Sequence, residues 1–401
     1  MFLRIQQKSK ALKDQLVAWR HQLHQHPEIG MKLPFAQGIV ISKLKKMGLD
    51  PVQIDRKGVI VNFEGGKSLP AQGSRVIAMR VDMDALPVYE ETGVAYSSKV
   101  KGYMHACGHD AHTTIGLGVA KVLSEMENFW SGQVKIIFQP GEECLEGAKL
   151  MISRGALEAP NVDIILGLHL DPQLPLESVG LRSGQLNAYA DQFCVEIRGK
   201  SGHGAYPHLA KDPVVAAATL VQALQTVVSR DLKPTDAGVI SIGQIRGGTA
   251  PNIIPEKVVL NGTIRSLNSN TRRDIFDRMK SIVDGLKKAF GVDCSLLFGE
   301  GSPPVICEKK ITEFVRQALT EVLGNDLVVI LSEPSMGSED FAFFTQRIPS
   351  TMLKLGCRSE EKGYIYPLHS SQFNFDEEIL VYGVTIFSYL IFLILERANR
   401  I

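Results

Sequence analysis

The chain has 401 residues, 44% of them apolar and 22% charged, with 44 Lys and Arg against 43 Asp and Glu and a net charge of +1. That balance excludes the basic footprint of a nucleic-acid binder or of a protein drawn to anionic membranes, and the length exceeds one ordinary core, so two domains are expected. The six cysteines, at 107, 144, 194, 294, 307 and 357, have no paired spacing, and the first 20 residues lack a continuous apolar run. Reduced thiols, no signal peptide and a cytoplasmic location are the expectation.

In chain order, Leu12, Leu16, Trp19 and Leu23 recur at helical spacing and predict an opening amphipathic helix. It runs into His21, His24, His26, Pro27 and Glu28, which read as a helix end before Pro27 rather than as a metal site. Residues 59–63 and 76–81 are short apolar runs expected as strands. The second runs into Arg80-Val81-Asp82-Met83-Asp84-Ala85-Leu86-Pro87. Acidic residues just past a buried strand belong at the carboxyl edge of an α/β sheet, where such proteins place their chemistry. A solvated turn is the plainer alternative.

Residues 104–113 gather His105, Cys107, His109, Asp110 and His112. A thiolate and an imidazole two residues apart around a glycine can face one centre, and that mixture of donors suits zinc and similar metals. A polar loop with a buried free cysteine is the alternative. A helix is expected over 113–126 and a strand over 134–138, ending in Gln139-Pro140-Gly141-Glu142-Glu143. A short helix over 148–152 and a strand over 164–168, ending in His169, come next. Strands alternating with helices predict a mostly parallel sheet flanked by helices.

From about residue 183 the pattern changes. Strands are expected over 192–195, 239–245, 258–264 and 294–298, with helices over 210–228 and 272–290. This reads as an α+β domain, 183–298, inserted into an α/β catalytic domain made of 1–182 and 299–401. Residues 381–395 are nearly all apolar, but a bilayer span needs about 20 residues. A buried terminal helix is therefore preferred over peripheral membrane contact.

Cys107, His109, Glu142, Glu143 and His169 gather at or near strand ends, and His369 follows in Tyr366-Pro367-Leu368-His369-Ser370. Cys107, His109, Glu143, His169 and His369 can hold two metals that share one ligand. One of the paired glutamates can bind metal while its neighbour takes a proton from metal-bound water, whose pKa falls to about 7. Asp82 can orient a ligand imidazole from behind.

Five motifs occur in order: Arg80-x-Asp82-x-Asp84-Ala85-Leu86-Pro87, Cys107-Gly108-His109-Asp110, Gln139-Pro140-Gly141-Glu142-Glu143, Gly199-Lys200-Ser201-Gly202-His203-Gly204-Ala205-x-Pro207, and Pro251-Asn252-x-Ile254-Pro255. Together they resemble the amidohydrolase branch of the aminoacylase/carboxypeptidase metallohydrolases. That branch includes hippurate hydrolases, indole-acetyl-amino-acid hydrolases and N-acetyl-diaminopimelate deacetylases. The resemblance runs from His24-x-x-Pro27-Glu28 to Pro367-Leu368-His369.

The resemblance implies hydrolysis of the amide bond of N-acyl or N-aroyl amino acids, with two divalent ions per subunit. Manganese or zinc is expected, with cobalt or nickel as alternatives. It implies Cys107, His109, Glu143, His169 and His369 as ligands, Cys107 bridging, Glu142 as general base and Asp82 as its supporting acid. Other branches carry a metal-binding His where Arg80 stands; a guanidinium has no acceptor. His109 is expected to fill that gap, with Asp82 against its far ring nitrogen.

The inserted domain is expected to be ferredoxin-like, acting in dimerisation and as a lid. His203 is expected to polarise the scissile carbonyl across a homodimer. Asn252 and Arg265 resemble contacts to the substrate carboxylate, a task that suits the guanidinium fork. His105 and His112 read as structural neighbours, and Asp110 has no assigned role. Met31-Lys32-Leu33-Pro34-Phe35 departs from the usual pattern, where a Glu and then a Thr are common; a local adjustment is expected. Glu339 and Asp340 are expected either to order the loops around His369 or to cap a helix. The competing readings are a metallo-dipeptidase or carboxypeptidase on the same scaffold, and a metal-binding homologue without turnover.

Overall fold

The strand Val76–Asp82 is apolar at nearly every position because both its faces are covered, and all seven residues are buried. It lies near the middle of an eight-stranded sheet in a computed structural model that describes residues 1–67 and 75–397. The chain divides into two compact units. One comprises Met1–Gln185, Val305–Glu333 and Glu339–Ile401; the other comprises Leu186–Pro304 and Pro334–Ser338.

In the first unit the strand order is Pro51–Ile54, Gly58–Glu64, Gln133–Gln139, Val76–Asp82, Ile164–Pro175, Ser350–Arg358, Val179–Leu181 and Val328–Ile330. The four central strands run parallel. Their register sets Asp82 beside Gln139 and Lys354 beside His169, so these strands deliver polar residues to one edge of the sheet. The strand expected to end at His169 continues to Pro175, which leaves His169 inside the sheet.

The helix expected from residue 113 starts four residues earlier, as His109–Ser124. Gly108 makes this start possible. It sits before the helix at φ 84°, a left-handed conformation that favours glycine, and a Cβ there would lie 2.9 Å from Leu170 Cδ1. His109, Asp110 and His112 therefore belong to the first turn of a buried helix rather than to a loop.

The terminal apolar run forms the helix Glu378–Glu396, long and apolar enough to cross a membrane by length and composition. Every residue from Ile379 to Leu395 except Tyr382 is nevertheless buried. The helices Phe2–Ala11, Lys13–His24 and His109–Ser124 pack around it. A helix enclosed on all sides has no need of a polar stripe.

The second unit is a four-stranded antiparallel sheet, ordered Gly238–Gly247, Lys257–Ser266, Tyr189–Arg198, Asp293–Phe298. With the helices Pro213–Thr226 and Ser269–Phe290 this gives the βαββαβ order of ferredoxin-like domains. The first helix begins later than expected because Asp212 accepts the N–H groups of Val214 and Val215, and Pro213 takes the first helical position.

Close approach between two core helices gives a stability test. At Gly118 a Cβ would lie 2.3 Å from Val384 Cγ2 and 2.9 Å from Leu16 Cδ2. Alanine gains about 1 kcal/mol of helix propensity over glycine, but overpacking a filled core costs about 1–3 kcal/mol. Gly118→Ala should therefore lower the unfolding free energy in denaturant titrations. An unchanged or raised midpoint would mean that these helices can separate freely.

Candidate metal centre

The parallel strands Gln133–Gln139 and Ile164–Pro175 and the His109–Ser124 helix converge on one group of donor atoms. Cys107 Sγ lies 3.4 Å from His169 Nε2. One ligand atom each from Cys107, His109 and His169 falls within 4.8 Å of the others, and the same holds for Cys107, Glu143 and His369. Cys107 is the member common to both groups. His109, Glu142 and Glu143 form a third such group. His369 enters from a separate segment, held by its N–H to the carbonyl of Ala106 at 2.8 Å. Its backbone is left-handed at φ 65°, a strained conformation for histidine, and its side chain is exposed.

Unpartnered polar atoms show what the group is fitted for. Both ring nitrogens of His109 and Oε1 of Glu143 are buried without a hydrogen bond. Buried polar groups are normally satisfied, so orphaned nitrogen and oxygen donors beside the Cys107 sulfur are suited to a soft or borderline divalent cation. His169 donates Nδ1–H to the Leu170 carbonyl at 2.6 Å, which leaves the Nε2 lone pair facing Cys107. Burial, reinforced by Lys354 and His112, holds the His169 pKa well down, so the ring is neutral as a ligand must be. Burial pushes the Cys107 thiol up, and a bound cation would take the place of its proton.

Glu142 differs from its neighbour. It is 5% exposed, and burial, Glu339, Asp340 and Glu143 together raise its pKa well above the usual carboxylate range. Asp84 accepts the N–H groups of Glu142 at 3.0 Å and Glu143 at 3.1 Å, fixing the backbone of both. No role was expected for Asp84, although it follows Asp82 at the end of the same strand.

Asp82 reaches His109 only as a long ion pair, and its hydrogen bond goes to another histidine. Its Oδ2 is 3.8 Å from His109 Nε2, whereas Oδ1 accepts Nδ1–H of His112 at 2.6 Å. The strand direction explains this: His112, one turn into the helix, reaches Asp82 and also accepts the Leu170 N–H at 3.0 Å. Asp82 Oδ2 is taken by Arg80 at 2.6 Å. Burial alone would raise Asp82, but His109, Arg80 and His112 outweigh it and keep it ionised.

The short helix Ala342–Thr345 that follows Glu339 and Asp340 has no side-chain cap, but Asp340 accepts the Ala148 N–H at 2.9 Å, in the first turn of the helix Gly147–Ser153. Glu339 and Asp340 both hold Arg80, at 3.0 and 2.6 Å, and the Asp340 N–H points to Glu142 Oε1 at 3.3 Å. Met31, in the departing segment, packs its sulfur where a side chain on Gly141 would sit, directly before Glu142.

In the second unit, His203 lies on a two-stranded ribbon opposite Ile253, and the Gly204 N–H bonds to the Asn252 carbonyl at 2.8 Å. The ribbon thus brings His203 and Asn252 together. Arg265 stands apart on the strand Lys257–Ser266, half-buried, its guanidinium bonded to the Ile264 carbonyl at 3.2 Å.

The description "Peptidase family M20/M25/M40" matches residues 78–392. The chain belongs to this family. It is 37% identical over 373 residues to an N-acetyl-L-cysteine deacetylase of Bacillus subtilis, covering 92% of this chain and 86% of that protein. It is 35% identical over 386 residues to an IAA-amino acid hydrolase of Arabidopsis thaliana, covering 94% and 85%. A thermostable carboxypeptidase of Saccharolobus solfataricus is 36% identical over 377 residues, covering 93% and 94%. Among solved structures, a Bacillus subtilis dinuclear metal binding peptidase of the M20 family superposes with a TM-score of 0.79 at 29% identity, covering 96% and 99%.

Behind the candidate ligand segments lies a buried ionic network that sequence reasoning missed. Asp110, next to His109, accepts Arg20 Nε at 3.1 Å and pairs with His24 Nδ1 at 2.8 Å. His24 Nε2 lies 3.2 Å from Glu90. Arg20 also donates to Glu377 at 2.9 Å and to Asn374 at 3.1 Å, in the segment that follows His369. The signal was present in His21 to Glu28, but helical spacing alone does not say which polar side chains turn inward.

Arg20→Met should cost about 3–5 kcal/mol, because it leaves a buried carboxylate uncompensated. A loss below 1 kcal/mol in denaturant unfolding would show that the network is dispensable. Burial lowers the His24 pKa, but Asp110 and Glu90 outweigh it and the net shift is upward from 6.5. The stabilisation from protonated His24 is thus complete below the unfolded value and lost as pH rises through the folded one. His24→Gln should lower Tm more at about pH 6 than at about pH 9; equal losses would mean that His24 is neutral throughout.

Proposed function

We propose that this M20 protein is a metal-dependent amidohydrolase that cleaves N-acyl or N-aroyl amino acids into a carboxylic acid and a free amino acid. The observation that carries this reading is Glu142: buried, its pKa raised by burial and by neighbouring carboxylates, and within 4.8 Å of the donor atoms of His109 and Glu143. Cys107, His109, Glu143, His169 and His369 would hold two divalent ions, manganese or zinc, with Cys107 shared between them. Such ions supply Lewis acidity, which lowers the pKa of a water and polarises a carbonyl.

Glu142 takes a proton from the attacking water as its oxygen bonds to the carbonyl carbon. It then returns the proton to the amide nitrogen as the C–N bond breaks. A base with a raised pKa suits both halves of that transfer. Asp82, locked by Arg80 and His112, keeps its charge beside His109 and orients the cluster. His203 would donate a hydrogen bond to the carbonyl oxygen as negative charge builds there. Asn252 and Arg265 would receive the substrate carboxylate.

A homodimer through the inserted unit is part of the reading. Its support is the edge strand Gly238–Gly247, which exposes Val239 and Ile245 and carries one charged residue, Arg246. Long, uncharged edges invite pairing. Similarity to a carboxypeptidase favours peptides as the second substrate class.

A panel of N-acetyl and N-benzoyl amino acids and dipeptides, assayed with added manganese or zinc, decides between the two. Higher kcat/KM on the N-acyl compounds is expected; the reverse order would make the protein a peptidase. Glu142→Gln should keep its metal by elemental analysis and lose about 10²–10⁴-fold in kcat, whereas Glu143→Gln should lose metal. The opposite pattern would exchange the roles of the two glutamates.

A further inference from the structure

His169 has a charged neighbour on its own face of the sheet. The strand Ser350–Arg358 places Lys354 in register with His169 on one side and with Gly180 on the other. Residues in register on adjacent strands project from the same face. Lys354 therefore rises beside a candidate ligand, and its other flank is a glycine. It is half-buried and makes no hydrogen bond or ion pair among the described residues.

A second cation lies close by. Arg182 follows the strand Val179–Leu181 and donates to the backbone carbonyls of Gln185 and Leu331, each at 2.7 Å. Arg182 lies two residues beyond Gly180, the strand partner of Lys354, so the two cations stand on neighbouring chain segments. Asp171 is the nearest carboxylate on the His169 strand, and its Oδ1 is occupied by the Gln173 N–H at 2.8 Å. A lysine partly stripped of water, without an ion-pair partner among the described residues, is costly beside a site that itself collects cations. An incoming anion would relieve that cost.

We propose that Lys354, with Arg182 behind it, forms an anionic subsite that recognises a second carboxylate on the substrate, distinct from the α-carboxylate. This rests on the amidohydrolase reading. The second carboxylate sits either on the amino-acid side chain or at the far end of the acyl group; the chemistry of recognition is the same. A flexible lysine stem delivers a compact point charge and does not demand a bidentate partner.

Two matched pairs separate the sources: N-acetyl-glutamate against N-acetyl-glutamine, and N-succinyl-alanine against N-butyryl-alanine. In one pair or the other, wild type should favour the dianion at least ten-fold in kcat/KM, through KM. Lys354→Met should bring that ratio close to one, Lys354→Arg should keep most of it, and Lys354→Glu should invert it. Wild-type ratios near one in both pairs, or a ratio unchanged in Lys354→Met, would overturn the subsite.

Calorimetric binding of glutarate against butyrate gives a readout without turnover. Glutarate should bind at least ten-fold tighter to wild type than to Lys354→Met. If no N-acyl amino acid is hydrolysed yet glutarate binding depends on Lys354, the subsite stands and the reaction reading fails. If hydrolysis proceeds and neither measurement depends on Lys354, the subsite alone is wrong. Loss of both hydrolysis and Lys354-dependent binding rejects both.

Discussion

The buried guanidinium of Arg80 is the point on which the catalytic edge of the sheet depends. It is completely buried, and its donors are shared between four residues from three segments of chain. Nε bonds to Gln139 at 2.9 Å, one terminal nitrogen bonds to Asp82, and the other reaches both Glu339 and Asp340. Gln139 in turn donates to both oxygens of Asp340 at 2.8 Å. A planar cation with five donors is the one side chain able to satisfy so many carboxylates without being deprotonated. Burying such a charge is costly, and breaking the set leaves uncompensated carboxylates, so the network acts as an all-or-none lock on geometry.

From Arg80 the constraint passes outward in two directions. Asp82 hands it to His112, and His112 to the Leu170 backbone, one residue from His169. Asp340 hands it to the N–H of Ala148 at 2.9 Å and, through its own N–H, to Glu142. Asp82, Glu142, Glu339 and Asp340 thus crowd around one guanidinium. The raised pKa of Glu142 is a symptom of that excess, since burial and three neighbouring carboxylates all oppose its ionisation. Divalent cations among Cys107, His109, Glu143, His169 and His369 would rebalance the charge while leaving Glu142 free to exchange a proton.

Much of this was legible in the sequence, for a physical reason. Central parallel strands are apolar throughout and stop abruptly in polar residues, so Asp82, Glu142 and Glu143 could be placed at one edge from pattern alone. The βαββαβ order of the inserted unit was readable from period and length; the length of the terminal apolar run was not, since its helix is long enough to cross a bilayer and its burial is what makes it a core element. The boundaries of His109–Ser124 and of Ile164–Pro175 were not, because a left-handed glycine and a strand continuing past a polar residue leave no mark in hydrophobic periodicity. Pairing choices were equally hidden. Whether Asp82 meets His109 or His112 depends on a difference of one helical turn, and Asp84 binding two backbone N–H groups depends on a loop conformation that residue type does not encode.

The five candidate ligands are not equally fixed. Cys107, His109 and His169 are buried on or beside regular elements, and Glu143 is held through its backbone by Asp84. His369 stands on an exposed segment in a strained conformation. What ties that segment down lies well behind it: Arg20 grips Asn374 and Glu377 on one side and Asp110 on the other. One arginine from the second helix therefore sets the spacing between the segment carrying Cys107 and His109 and the segment carrying His369. This accounts for a buried ionic network far from any reacting atom. The shared position of Cys107 has meaning only if its two sets of neighbours are held at a constant separation, and the short Ala106–His369 hydrogen bond cannot impose that by itself.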